Sequence, residues 1–166
     1  VMPRFGVVLS GTGGMLKRLA WLFKAGGGGR LGSGKQYMSW IALDDLLAVL
    51  LEAIANPALE GPLNAVAPGT VTNAEFTSTL AATLNRPAIA RVPAPVLRLA
   101  AGELADELLL VSQRAMPARL TDIGFRFDFP TLESALRHEL GRTRPASLAQ
   151  PALQPATALL PSGQGD

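Results

Sequence analysis

The feature that most narrows the fold is a strand–turn–helix unit at the start of the chain. Phe5-Gly6-Val7-Val8-Leu9 runs into Ser10-Gly11-Thr12-Gly13-Gly14 and then into Met15 to Ala25. A continuous β-rich apolar run predicts a strand buried on both faces. Leu16, Leu19, Ala20 and Phe23 recur at helical spacing, with Lys17, Arg18 and Lys24 elsewhere, which predicts an amphipathic helix. The alternation continues. Tyr37 to Ile41 reads as a short strand, and Asp44 and Asp45 sit where carboxylates favour a helix N-terminus. The helix from Leu46 to Ala55 is apolar nearly all round and is expected to be sandwiched, with Asn56-Pro57 as its stop. Leu63 to Ala67 is a second buried-strand candidate. Thr72-Asn73-Ala74-Glu75 is a capping box opening a helix to about Leu84. Beyond Asn85-Arg86-Pro87, Ala88 to Val92 reads as extended. Pro95 to Ala101, Leu104 to Val111 and Pro117 to Ile123 read as short helices, and Thr131 caps a last one to Leu140. Strands alternating with helices predict an α/β fold.

Composition removes several function classes. The 166 residues are 48% hydrophobic with a formal charge of +2, enough for a packed body and too evenly charged for nucleic-acid binding. Cysteine is absent, which excludes thiolate zinc sites and a Cys nucleophile and suits the reducing cytoplasm. The apolar helix is too short for a membrane span. From Arg142 the chain turns to Pro, Ala, Gln and Ser, so residues 145–166 are expected to be a disordered tail and 1–144 the folded region. The opening Val1-Met2-Pro3-Arg4-Phe5 reads as a chain picked up in mid-domain.

Several short motifs invite chemistry. Gly29 to Lys35 fits the G-x-x-x-x-G-K half of a phosphate-binding loop, yet Gln36 stands where a Ser or Thr would hold magnesium. Such a loop must open into a helix, whereas here a helix precedes the glycines and a strand-like run follows. A surface loop with a solvated lysine is the competing reading. Gly11-Thr12-Gly13-Gly14 lacks the third glycine of a dinucleotide fingerprint, because position 16 is leucine. A tight turn able to approach a ligand is expected there. His138 reads as part of a solvated helix face, and a single histidine builds no metal site. Asp44 and Asp45 read as helix-start carboxylates rather than an acid/base pair. Glu103, Asp106 and Glu107, at i, i+3 and i+4, read as a solvated face or an interdomain contact.

The order of these pieces carries more than any one of them. Arg4 to Ser10, Gly13-Gly14, Gly28 to Ile41 and Asp44-Asp45 are followed by Gly61 to Pro68, Val71 to Phe76, Arg86-Pro87 and Val92-Pro93-Ala94. Gly102-Glu103, Asp106 to Leu109, Gln113-Arg114, Pro117, Gly124-Phe125 and Pro130 to Glu133 complete the series. Over residues 4–140 the chain resembles the C-terminal half of the epimerase-like, atypical extended short-chain dehydrogenase/reductases, within the NAD-dependent epimerase/dehydratase superfamily.

That resemblance implies the late part of a Rossmann-type NAD(P)-binding fold with a small, mostly helical substrate domain. The family's cofactor fingerprint and catalytic Tyr-x-x-x-Lys pair lie in the N-terminal half. Neither stands in this chain, whose one tyrosine, Tyr37, is followed four residues later by Ile41. A chain without them cannot run the hydride and proton cycle alone, so it names no catalytic residue, and tight NAD(P) binding by this chain alone is not expected. By the resemblance, Arg4, Gly6 and Val7 lie nearest the cofactor, while Lys35, Gln36, Ser39, Trp40 and Arg114 line the substrate cleft. Lys35, Gln36 and Arg114 suit phosphate or carboxylate groups. Ala42 stands where the family usually has His. The expected role is the substrate-binding portion of a nucleotide-sugar epimerase-like oxidoreductase; the alternative is a non-enzymatic binding module derived from one. Expected partners are a small-molecule substrate and either the missing N-terminal half or a second copy, with neither nucleic acid nor membrane.

Overall fold

Gly6 divides the first apolar run into two strands with different neighbours. The computed structural model describes residues 1–88, 90–92, 112 and 114–142. The expected helices Pro95 to Ala101 and Leu104 to Val111, the acidic cluster Glu103, Asp106 and Glu107, and the tail 145–166 lie outside the described residues. Strand β1 (Met2–Phe5) pairs in parallel with β6 (Pro62–Ala65), and β2 (Val7–Leu9) pairs in parallel with β5 (Trp40–Ala42). Between them, the Gly6 amide still reaches the Ala65 carbonyl (3.4 Å), whereas the Val7 amide bonds the Ser39 carbonyl (2.8 Å). On its other edge β5 is bonded to the chain after β6, through the Ala67 amide and Trp40 carbonyl at 2.7 Å. Thus β1 and β6 run side by side and then part, with β5 wedged into the fork. A Cβ on Gly6 would stand 2.6 Å from the Ser39 carbonyl oxygen at the wedge tip.

The wedge makes β5 the strand buried on both faces. Trp40 and Ala42 join Leu9, Leu16, Phe23, Phe76, Leu80 and Leu136 in one core, while Ile41 joins Leu46, Val49, Leu63, Ala65 and Leu120 in the other. The first core is closed by helices α1 (Gly14–Lys24), α3 (Asn73–Leu84) and α5 (Leu132–Glu139). The second is closed by α2 (Leu43–Ala55) and α4 (Ala118–Asp122). Each fully buried large side chain contributes about 1.5–3 kcal/mol.

Three expectations need correction. The strand Phe5 to Leu9 is not buried throughout: Phe5 is exposed and only Leu9 is fully enclosed, because β1 has a single neighbour among the described residues. Tyr37 to Ile41 is not one strand either. Ser39 separates β4 (Tyr37–Met38), antiparallel to β7 (Val71–Thr72), from β5. Nor is α2 sandwiched, since Leu47, Leu51 and Ile54 face outward on the side opposite Leu46 and Val49. By contrast the capping box is present. The Glu75 amide donates to Thr72 Oγ1 (3.2 Å), and the Thr72 amide donates to Glu75 (2.6 Å), holding that carboxyl below its ordinary 4.5. Thr131 accepts the Ser134 amide at the start of α5, as expected.

The carboxylates at the start of α2 reach across the fold instead of capping their own helix, which has no side-chain cap. Buried Asp45 accepts the Asp128 amide at 2.7 Å and the Phe129 amide at 3.1 Å. Asp44 bonds His138 at 2.7 Å, and the His138 ring stacks on Phe129 at 4.2 Å between centroids. His138 is therefore a link between α5 and α2, not a free helix face. Glu139 adds two further ties, accepting the amides of Gly11 (2.9 Å) and Leu43 (3.3 Å). A Cβ on Gly11 would collide with the Glu139 carbonyl.

Burial pushes the Asp45 carboxyl above its ordinary 3.8, against the opposing pull of the two amides, with Asp128 and Asp44 adding repulsion. Folding thus favours its proton, so its contribution to stability is full below 3.8 and declines as pH rises through the raised value. Asp45→Asn turns an NH2 toward one of the two amides and is expected to cost about 1–3 kcal/mol. The gap to wild type should narrow as pH rises from 3.8, which urea unfolding across pH 3.5 to 7 will measure. Gly6→Ala should cost about 1–3 kcal/mol through overpacking on Ser39, read from the urea midpoint; an unchanged midpoint would refute the wedge-tip contact.

Candidate functional site

The glycine-rich loop is built opposite to a phosphate cradle. Strand β3 (Gly29–Leu31) pairs in parallel with β8 (Ala90–Val92), and the chain then turns through Gly32-Ser33-Gly34 into β4. No helix opens from the loop. Instead its carbonyls serve the N-terminus of α3: the Asn73 amide donates to Gln36 O (2.9 Å) and the Ala74 amide to Gly34 O (3.0 Å). With Thr72 taking the Glu75 amide, the first three amides of α3 are satisfied. An ATP-type loop needs free amides facing outward, and here carbonyls face inward. Lys35 remains exposed, its own amide on Ser33 Oγ at 3.3 Å. The Ser10 to Gly14 turn, expected to be able to approach a ligand, has its Gly11 amide on Glu139.

Beside this loop the segment around Arg114 is drawn across the end of β4. The Tyr37 amide donates to Ser112 Oγ (3.2 Å). Ser39 Oγ accepts the Ala115 amide (2.8 Å), with a longer return contact to the Ala115 carbonyl (3.4 Å). Thr70 Oγ1 donates to that carbonyl (3.1 Å), and Asn64 Nδ2 donates to the Met116 carbonyl (3.1 Å). Three separate segments, at residues 37–39, 64 and 70, thus hold one short stretch of chain. The Arg114 guanidinium consequently lies over the Tyr37 ring, 5.4 Å from its centroid. At an exposed site this contact contributes about 0.5–1 kcal/mol. Arg114 itself is exposed, as is Lys35, two residues before Tyr37 in the chain.

The predicted site residues therefore fall into distinct places. Lys35 and Arg114 are exposed, with half-buried Gln36 between loop and strand. Ser39 and Trp40 are buried: Ser39 is engaged with Ala115, and the Trp40 Nε1–H donates to the Gly69 carbonyl at 2.6 Å. These two form the frame on which the exposed groups stand. Arg4 is exposed on β1 opposite Asn64, Gly6 abuts Ser39, and half-buried Val7 pairs with Trp40. Ala42 is enclosed in the first core with Leu9 and Trp40, so the residue replacing the family's usual His faces packing, not an open cleft. Sequence reasoning missed Tyr37 as the platform for Arg114, and missed Thr70 and Asn64 as its anchors. The only local signal was the exposed–buried alternation of Tyr37 and Met38; the anchors are long-range. Among the described residues no group of His, Asp, Glu or Cys gathers as metal ligands, and no helix is long and apolar enough to cross a membrane.

Residues 92–139 match a family described as a domain of unknown function, DUF1731. The epimerase family protein Mb2239 of Mycobacterium bovis is 50% identical over 145 residues, which are 87% of this chain and 48% of that protein. The crystal structure of human epimerase family protein SDR39U1 (isoform 2) with NADPH superposes with a TM-score of 0.78 at 36% identity, over 85% of this chain and 48% of that one. The nucleoside-diphosphate sugar epimerase from Corynebacterium glutamicum superposes with a TM-score of 0.69 at 40% identity, over 89% of this chain and 27% of that one. The chain spans about half the length of the curated relatives it matches. Its α/β fold is that of NAD(P)-dependent epimerase structures, and the chain belongs to the epimerase-like short-chain dehydrogenase/reductase superfamily.

Proposed function

We propose that this chain is the substrate-side portion of an NAD(P)-dependent, nucleotide-sugar epimerase-like oxidoreductase, and that it is catalytically incomplete alone. The observation that carries this reading is Arg114, held over Tyr37 by Ser39, Thr70 and Asn64 beside the Lys35 loop. Two cations and an aromatic face on a rigid frame suit a ligand with an anionic group next to a flat ring, as in a nucleoside diphosphate. Charge-assisted bonds to the anion come from Arg114 and Lys35, and Gln36 adds an amide. Ser39 and Trp40 position them.

On this reading residues 1–144 comprise late Rossmann strands and part of a substrate domain, working in the cytoplasm. The nicotinamide cofactor supplies hydride transfer when bound. This chain fits it only at a margin: Arg4, Gly6 and Val7 are its contribution. The Gly11 amide is committed to Glu139, and the Gly11 to Gly14 turn lacks the third glycine of the dinucleotide fingerprint, position 16 being leucine. No Tyr-x-x-x-Lys pair stands in the chain to move the proton.

Calorimetric titration of the chain with UDP and with NADPH tests the reading. Weak saturable UDP binding is expected, without tight NADPH binding. Arg114→Ala and Lys35→Ala should each weaken UDP binding about tenfold or more, the range of a charge-assisted hydrogen bond, while Trp21→Ala on α1 should not. UDP binding indifferent to both cations would refute the assignment.

A further inference from the structure

We propose that Arg30 extends the Lys35–Arg114 site with a subsite for a second anion, so that the preferred ligand is a nucleoside diphosphate carrying an acidic sugar. The inference rests on the nucleoside-diphosphate reading above and adds to it a residue and a substrate class. Arg30 is the central residue of β3 and is half-buried. Its stem lies against Gly34, where a Cβ would stand 3.3 Å from Arg30 Cδ and 3.2 Å from Ala74 Cβ. Gly34 is buried with φ +71°, so this turn keeps a glycine both for its backbone and for the close approach of Arg30 to α3. The packed stem gives the guanidinium a fixed base beside the residue that precedes Lys35.

The charge of Arg30 is unspent. Among the described residues no carboxylate pairs with it. Glu75, in the first turn of α3, is occupied by the Thr72 amide and hydroxyl. Position 91, the partner of Arg30 in register on β8, is a second arginine, so one rung of this ladder carries two positive charges. Like charges at one rung disfavour strand pairing, and a half-buried guanidinium without a counter-ion has lost hydration uncompensated. A bound anion offsets both. A guanidinium takes a carboxylate through two parallel bonds, which a lysine would not supply. The order of the groups indicates where that carboxylate belongs. The Tyr37 ring with Arg114 comes first, then Lys35, then Arg30 beyond Gly34. A nucleotide sugar presents a flat base, a diphosphate and a sugar in the same order, which sets the sugar toward Arg30.

The test is calorimetric titration of the full chain with UDP, UDP-glucose and UDP-glucuronate. UDP-glucuronate is expected to bind about tenfold or more tighter than UDP-glucose, the range of one charge-assisted pair. Arg30→Met keeps an apolar stem against Gly34 and removes the charge, and it should bring the two affinities together. Far-UV circular dichroism of that variant will show that the fold is kept. Arg114→Ala should weaken all three ligands and leave the preference for the acidic sugar. Arg126→Met should change neither affinity, since Arg126 is exposed between Phe125 and Phe127 beside the second core. Equal affinities for the two sugars in wild type overturn the proposal, as does a preference that Arg30→Met retains; in both cases UDP binding leaves the nucleotide reading standing. A preference that Arg126→Met also abolishes would assign it to overall charge and overturn the subsite. Absence of UDP binding would refute the nucleotide reading, and this proposal with it.

Discussion

Everything in this chain hangs on the insertion of Trp40 to Ala42 between two strands that begin as neighbours. Parallel strands are joined by crossovers, so each must find its register from side-chain packing and not from a hairpin turn. Here β1 and β6 share a register for four residues, and the parting at Gly6 opens a slot of one strand's width. The wedge fills it with three fully buried residues whose alternation supplies Trp40 and Ala42 to one core and Ile41 to the other. Two helical layers are thereby fixed to one short strand. A larger residue at Gly6 would press on the wedge tip and disturb both.

The same wedge positions the candidate site. Ser39, at its tip, is buried and spends its hydroxyl on Ala115; Tyr37, two residues earlier, is exposed and carries Arg114. A rigid interior and a solvent-facing cation are thus separated by two residues of backbone. The glycine loop completes the arrangement by presenting carbonyls to α3, which offsets the positive end of that helix, while Lys35 and Arg114 stay exposed. On the opposite flank, Asp44 and Glu139 tie α5 to α2, Glu139 also holds the Gly11 turn, and Asp45 ties α2 to the segment before α5. The C-terminal helix becomes part of the wall behind the first core.

How much of this was legible depended on range. The capping box Thr72 to Glu75 and the helix start at Thr131 are local, because their partners lie three residues away, and they were read correctly. The amphipathic α1 followed from its period. Asp44 and Asp45 looked like helix-start carboxylates for a sound local reason, but their partners, His138, Asp128 and Phe129, lie more than eighty residues on. The exposure of Leu47, Leu51 and Ile54 was hidden because apolarity all round a helix signals burial only if something covers each side. The glycine string misled in a similar way: its composition permits a phosphate loop, and only the element that follows it decides whether amides or carbonyls face the site.

Sequence alone therefore determined most of the described helices, the α/β class, the caps of α3 and α5 and the family resemblance, since propensity, period and motif order are written within a few residues of one another. It also named Lys35 and Arg114 as cations of interest, though not the Tyr37 ring beneath Arg114. Tertiary structure decided which strand is central, where Asp45 and His138 spend their polar groups, and why a glycine-rich loop serves a helix in place of a phosphate. Those outcomes depend on contacts between segments far apart in the chain. A buried polar group must take whichever partner the folded backbone brings within about 3 Å, and no local pattern specifies which one that is.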